Sequence, residues 1–331
     1  MILQKRKREY KFFDHRIHAV GDNLKNISLP GFDKVSLYDV INYFFKGMSK
    51  GAITTRASSI AFQFFLASLP AIIFFFTLIP YIPIDNFQEE LMGLFQNMLP
   101  KNVFGALESS LEDIFAKKRS GLQLFGFLVA LFFATNGLNS IIKAFNATYH
   151  TIETRTPLER RLISTLLVFL MTGLLTFAIT LIILGKIFVY KLTLMEIFRS
   201  SITYSLIILG NWFIILLLIF FTVSFLYYFA PARKTKWKIF SPGSTLATFL
   251  IFIATLGFSY YVNQFGQFNK LFGSIGTIMV LMIWLNLIAT SLLIGFELNA
   301  SIKNAKLEIE EQDDNPIITE YQHAKENKKT I

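Results

Sequence analysis

Long uncharged apolar runs alternate with short polar stretches along this chain, and six of the runs, 57–83, 121–142, 162–185, 201–229, 243–265 and 274–302, are long enough to cross a bilayer. A helix rises about 1.5 Å per residue and a hydrocarbon core is about 30 Å thick, so roughly 20 apolar residues suffice. Hydrocarbon offers backbone N–H and C=O groups no partner, which forces such runs into internally bonded helix. The pattern therefore predicts an all-α, polytopic membrane protein whose bundle of six transmembrane helices occupies 56–305. The sixth run is broken only by Glu297 near its end. The fourth is longer than the bilayer requires and predicts a tilted helix or one whose end emerges at the interface.

Three parts fall outside the spans. Residues 1–55 form a basic segment in which Ser36 and Asp39 give a capping-box start to a short helix. Its Leu37, Val40, Ile41, Phe44 and Phe45 share a face, and it is expected to lie along the cytoplasmic interface. In the loop 85–120, apolar residues recur at helical spacing (Phe87, Leu91, Leu94, then Phe104, Leu107, Leu111), which predicts two external amphipathic helices over the bundle. Residues 306–331 turn acidic and lose apolar period, and read as a flexible cytoplasmic tail.

Polar side chains within the apolar runs are costly unless they face protein or water. Asn136, Asn139, Lys143 and Asn146 form one stripe on the second span; Arg56, Ser59 and Gln63 form another on the first; Asn286, Thr290, Glu297 and Ser301 share a face of the sixth. Three stripes at one depth suggest a hydrated vestibule open to the cytoplasm, a candidate polar cavity among the first, second and sixth helices. Interhelical hydrogen bonding explains the same spacing equally well. Glu297 needs a cation, and Arg56, Lys143 and Arg160 or Arg161 stand at its level. A structural clamp is favoured there over a proton-coupling role. Gly126, Ala130 and Ala134 make a small-residue seam on the second span, and Pro70 predicts a kink in the first.

Charge then sets orientation. Of the 32 Lys and Arg residues, 24 lie in the N-terminal segment, the second and fourth loops and the C-terminal tail, against 8 on the other side. The positive-inside bias puts both N and C termini in the cytoplasm. The same distribution argues against nucleic acid as the partner of a chain of net charge +10, because the basic residues follow topology rather than one folded face. Only 16% of residues are charged, below the quarter usual in soluble domains. No secretory signal peptide is expected, since the basic start at Lys5 to Arg8 is followed by no apolar run until Ala57.

Candidate chemistry is sparse. There is no Cys, and His15, His18, His150 and His323 are scattered, so neither a thiol nucleophile nor a metal-ligand cluster is expected. No Gly-rich phosphate loop with its Lys is present. The pattern thus assigns no catalytic, cofactor-binding or metal residue.

A set of ordered motifs adds a resemblance. Arg56-Ala57-Ser58-Ser59-Ile60-Ala61 precedes Ser68-Leu69-Pro70, and Asn139 precedes Ala144-Phe145-Asn146-Ala147-Thr148-Tyr149. Tyr227-Tyr228-Phe229-Ala230-Pro231 comes before Trp237 and Ser241-Pro242-Gly243, and Phe272-Gly273-Ser274-Ile275-Gly276 before Trp284 and Gly295-Phe296-Glu297-Leu298-Asn299-Ala300. From about Leu37 to Lys306 the chain resembles the YihY / virulence factor BrkB family. It departs from the pattern at Phe62-Gln63, Ala232 and Phe272, where the family favours tyrosine, asparagine and tyrosine. The resemblance implies a multi-pass protein of the bacterial cytoplasmic (inner) membrane, linked to serum resistance and envelope lipid handling, with an old ribonuclease BN label that the scattered histidines do not support. The expected function is a transporter or flippase-like handler of an amphiphilic envelope component, with membrane lipids as partners. The alternative is a non-transporting scaffold for envelope biogenesis partners, or a homo-oligomer serving that end.

Overall fold

The computed structural model describes residues 31–32, 35–50, 52–78, 89, 92–93, 120–148, 154–194, 201–232, 240–264 and 274–314. Seven long helices occupy them: α1 (Leu37–Lys50), α2 (Ile53–Leu78), α3 (Ser120–Thr148), α4 (Pro157–Leu194), α5 (Ser201–Phe229), α6 (Pro242–Gln264) and α7 (Ser274–Asp314). The six from α2 to α7 are long and apolar enough to cross a membrane.

Local chemistry sets several helix starts. The Ser36 hydroxyl accepts from the Asp39 N–H at 3.1 Å and donates to the Asp39 carboxylate at 2.6 Å, as the sequence predicts for α1. At α4, Thr156 and Glu159 exchange reciprocal capping bonds of 2.7 and 3.2 Å around Pro157, whose missing N–H is harmless at the first helical position. At α6, the Ser244 N–H donates to the Ser241 hydroxyl at 3.1 Å, again with a proline, Pro242, just inside the start. Pro70 lies within α2, which continues beyond it to Leu78.

Each span packs against the next in the chain and α7 packs back on α2, so the six close into a ring. α7 also touches α3 and carries α1. The main apolar core lies toward the end of the ring where α1 sits, joining Ala57 and Ile60 of α2, Ile142 and Phe145 of α3, Leu167 of α4, Tyr227 of α5, Ala247 of α6, and Leu293 and Phe296 of α7. A smaller cluster seats Val35 and Val40 against Ile302 and Ala305.

Arg56 lies within α2, which starts at Ile53, as its place on the polar stripe of the first span requires. Two expectations change. The helix of the sixth span runs through Asp314, past the tail boundary set at 306. Helicity outlasts the apolar period, because Ala305, Lys306, Leu307, Glu308, Glu310 and Glu311 are strong helix formers. The single apolar face expected on α1 is divided: Val40 is buried on α7, whereas Ile41 and Phe45 are exposed. The external amphipathic helices fall almost wholly outside the described residues. The small-residue seam on α3 is partly realised, with Gly126 against the Phe74 backbone of α2 at 3.7 Å from an ideal Cβ position.

Candidate functional site

The polar residues of the spans converge at the α1 end. Arg56, one turn into α2, donates from Nη1 to the Ala144 carbonyl at 2.9 Å and to the Thr148 hydroxyl at 2.6 Å, both on α3. Its Nη2 lies 3.9 Å from Oε2 of Glu297 on α7, with both side chains largely buried. One guanidinium therefore ties three helices. At that separation the ion pair is a Coulombic contact rather than a tight charge-assisted hydrogen bond. α1 passes directly over it: a Cβ at Gly47 would overlap the Glu297 carboxylate, so a side chain there would have to displace that carboxylate.

Other ties surround this pair. Asn146, near the end of α3, accepts the Ala232 N–H just beyond α5 at 2.9 Å, and Arg155 donates to the Ala230 carbonyl at 3.0 Å. Asn136 accepts from Arg161 of α4 at 2.6 Å, and the same guanidinium lies 4.6 Å from the Phe132 ring centroid. Asn286 donates to Ser58 at 3.0 Å, joining α7 to α2. Asn299 accepts the Gly243 N–H at 2.8 Å and donates to Ser241 at 2.9 Å, which caps α6 from α7. There the two helix backbones touch, because a Cβ on either Gly243 or Gly295 would strike the carbonyl of the other.

Between these ties lies an aromatic plug. Phe145 and Phe296 stack with centroids 3.9 Å apart, and Tyr227 meets them edge-on at 5.5 and 5.3 Å. The Tyr227 hydroxyl donates to the Leu292 carbonyl at 2.6 Å, the partner a buried phenol requires.

Of the residues singled out from sequence, the structure pairs Arg56 with Glu297 and leaves Lys143 exposed rather than at the carboxylate. Asn136, Asn146 and Asn286 each bond a group outside the proposed set. Ser59 is exposed, and Gln63 and Thr290 are half-buried. The Asn139 Oδ1, the Arg56 Nε and Nη2 and the Arg160 Nε are buried with no hydrogen-bond partner among the described residues. Tyr227, Asn299, Gly243 and Gly295 were not selected from polar spacing. Only their recurrence in the ordered motifs marked them, since glycine carries no polarity and Asn299 lies off the Glu297 stripe.

Residues 44–316 match the family described as Virulence factor BrkB. The Putative ribonuclease-like protein YfkH of Bacillus subtilis is 30% identical over 263 residues, covering 79% of this chain and 93% of that protein. The UPF0761 membrane protein Smlt0865 of Stenotrophomonas maltophilia is 25% identical over 74% of this chain, which spans 56% of that relative's length. UPF0761 membrane protein NTHI0384 of Haemophilus influenzae is 21% identical over 84% of this chain and 100% of its own. No solved structure matches the chain.

Proposed function

The chain belongs to the virulence factor BrkB family, and from that premise we propose that it moves or accommodates an amphiphilic envelope component in the bacterial cytoplasmic membrane, with its α1 end in the cytoplasm. The orientation rests on the 24 to 8 division of Lys and Arg. One observation carries the functional reading: three buried polar atoms on α2, α3 and α4, the Arg56 Nε, the Asn139 Oδ1 and the Arg160 Nε, keep hydrogen-bonding capacity that no described protein group uses. A buried unsatisfied group costs about 1–3 kcal/mol, so retaining several at one end of a membrane bundle fits a polar guest or water that uses them.

The ribonuclease wording belongs to the name of the Bacillus relative and is not carried over. A metal-dependent phosphodiesterase activates water on a metal held by clustered ligands. Among the described residues no group of three or more His, Cys, Asp or Glu could hold one.

The reading is tested by reconstituting the purified protein into liposomes with a fluorescent phospholipid and quenching the outer leaflet. Accelerated transbilayer movement relative to protein-free vesicles is expected; unchanged movement of phospholipid and of a polyprenyl phosphate, with the protein folded, removes the proposal. The vestibule is tested on a clean background, because the chain has no native Cys. Asn139→Cys and Gln63→Cys should react with a membrane-impermeant thiol reagent from the cytoplasmic side only.

A further inference from the structure

α3 and α4 touch at the α1 end and part beyond it. The contact is Arg161, which donates from Nη1 to Asn136 Oδ1 at 2.6 Å and from Nη2 to the Phe132 carbonyl at 3.4 Å, with its guanidinium over the Phe132 ring. The stripe that continues from this contact along α3, Phe132, Leu128 and Phe125 at steps of four and three, is 53%, 54% and 66% exposed. Along α4 the same stripe passes half-buried Thr165 and Val168, the latter packed on the core, and becomes exposed only from Thr172 through Leu175 and Ile179. α3 thus lacks cover along this face from Phe132 outward and α4 only from Thr172 outward, so the α3 side of the gap is the open one.

The result is a crevice, closed at Arg161 and open toward the opposite end. From Asn136 to Phe125 it runs about 16 Å along α3 at 1.5 Å per residue, close to the thickness of one leaflet's hydrocarbon. Its walls are apolar and its closed end is cationic. Arg161 has five N–H donors and uses two of them here, and no described carboxylate pairs with it. Lys143, exposed and seven residues past Asn136 on the same face of α3, adds a second positive charge toward the α1 end.

We propose that this crevice binds a lipid with an anionic phosphate headgroup. The phosphate oxygens take the free N–H groups of Arg161, and an acyl chain lies along Phe132, Leu128 and Phe125. Planar guanidinium donors match phosphate oxygens. The apolar wall leads from them in the direction that chains of a cytoplasmic-leaflet lipid must run. The assignment deepens the reading of an amphiphilic cargo and shares its orientation, yet binding is measurable without movement.

The test is native mass spectrometry of the purified full chain titrated with phosphatidylglycerol, with diacylglycerol of the same chains, and with inorganic phosphate. A phosphatidylglycerol adduct is expected that neither diacylglycerol nor phosphate reproduces. Arg161→Gln should weaken it about tenfold or more. Leu128→Trp, which fills an exposed wall and leaves the charge in place, should weaken it without altering the melting temperature. Equal binding of diacylglycerol, equal binding of free phosphate, or full binding by both variants overturns the site. If liposome movement fails while the adduct persists, the transport reading falls and the lipid site stands; if movement persists and the adduct is absent, only the site falls.

Discussion

The two ends of the helix ring use glycine in opposite ways. At the α1 end, Gly47, Gly243 and Gly295 are enclosed so closely that a Cβ would overlap a carboxylate or a backbone carbonyl, and Gly137 meets the Phe64 ring at 3.3 Å. At the opposite end and along the middle of α4, Gly173, Gly185, Gly210 and Gly257 have nothing within 4 Å of the same position, and Gly126 makes only ordinary contact with Phe74 at 3.7 Å. Polar ties follow the same division: the ion pair, the asparagine bridges and the Tyr227 bond all sit with the first group. In hydrocarbon, where apolar side chains gain little by leaving lipid, backbone approach and hydrogen bonds are what hold helices together. The ring is thus fastened at one end. At the other, helices such as α4, with Phe177, Ile183, Leu184 and Phe188 all exposed, stand against lipid or a guest.

The comparison breaks most sharply if the fastening is cut at its charged centre. Glu297→Leu leaves the Arg56 guanidinium in a buried site without its carboxylate, and losing one partner of a buried pair typically costs about 3–5 kcal/mol. The lower figure is expected here, because Arg56 keeps its bonds to Ala144 and Thr148. A thermal melt of the detergent-solubilised protein should show a large drop. Exchanging the charges by combining Arg56→Glu with Glu297→Arg should recover part of it if the pair is a clamp. A variant that melts like the native chain yet no longer moves lipid would assign Glu297 to coupling instead.

Next in size is backbone contact between α6 and α7. Gly295→Ala places a methyl group against the Gly243 carbonyl, 2.6 Å from the Ala247 Cβ and 2.6 Å from the Tyr227 hydroxyl. Relief requires α6 and α7 to separate, which strains the Asn299 cap as well. Overpacking of this kind costs about 1–3 kcal/mol and occasionally more. The expected outcome is a clear fall in melting temperature, checked against Gly185→Ala, which should show none.

What was legible in the sequence follows this same division between forces. Span number and position could be read because the bilayer imposes a length on apolar runs whatever their neighbours are. The partnership of Glu297 with Arg56 was legible to within four cations, since a buried carboxylate demands a cation and topology limits the choices. Choosing among them depended on how α2 and α7 come to rest, which brings Arg56 to the carboxylate and leaves Lys143 exposed. Asn136 and Asn146 stood out as polar residues on one stripe, yet their partners, Arg161 and the Ala232 N–H, are set by how α4 and the end of α5 come to rest. Gly243 against Gly295 and the Phe145, Phe296 and Tyr227 plug depend on three-dimensional register alone. No periodicity encodes which helix a glycine or a phenyl ring will meet. The splayed course of α4 was equally invisible, because a lipid-facing helix and a buried one in a membrane share the same apolar composition.

A smaller effect should follow from the one phenol in the plug. Tyr227→Phe removes the hydroxyl that donates to Leu292 at 2.6 Å and keeps the ring in its edge-on contacts. A single buried hydrogen bond contributes about 0.5–1.5 kcal/mol net. A melting temperature lowered by no more than a few degrees is expected. A drop as large as that of Gly295→Ala would mean that the hydroxyl also positions α7 against α5.

The smallest effect sharpens the comparison at the open end. Gly257 lies inside α6 with open space around it, so Gly257→Ala introduces no clash and removes the conformational freedom of glycine in a helix. The expected gain is at most about 1 kcal/mol, seen as an unchanged or slightly raised melting temperature. Movement of lipid across liposomes is the more informative measurement on the same variant. If the open end stays open throughout the cycle, a methyl group in open space leaves the rate untouched. A more stable but slower protein would instead mean that α6 approaches a neighbour in another state, and that these open glycines serve a closure that the fastened end does not undergo.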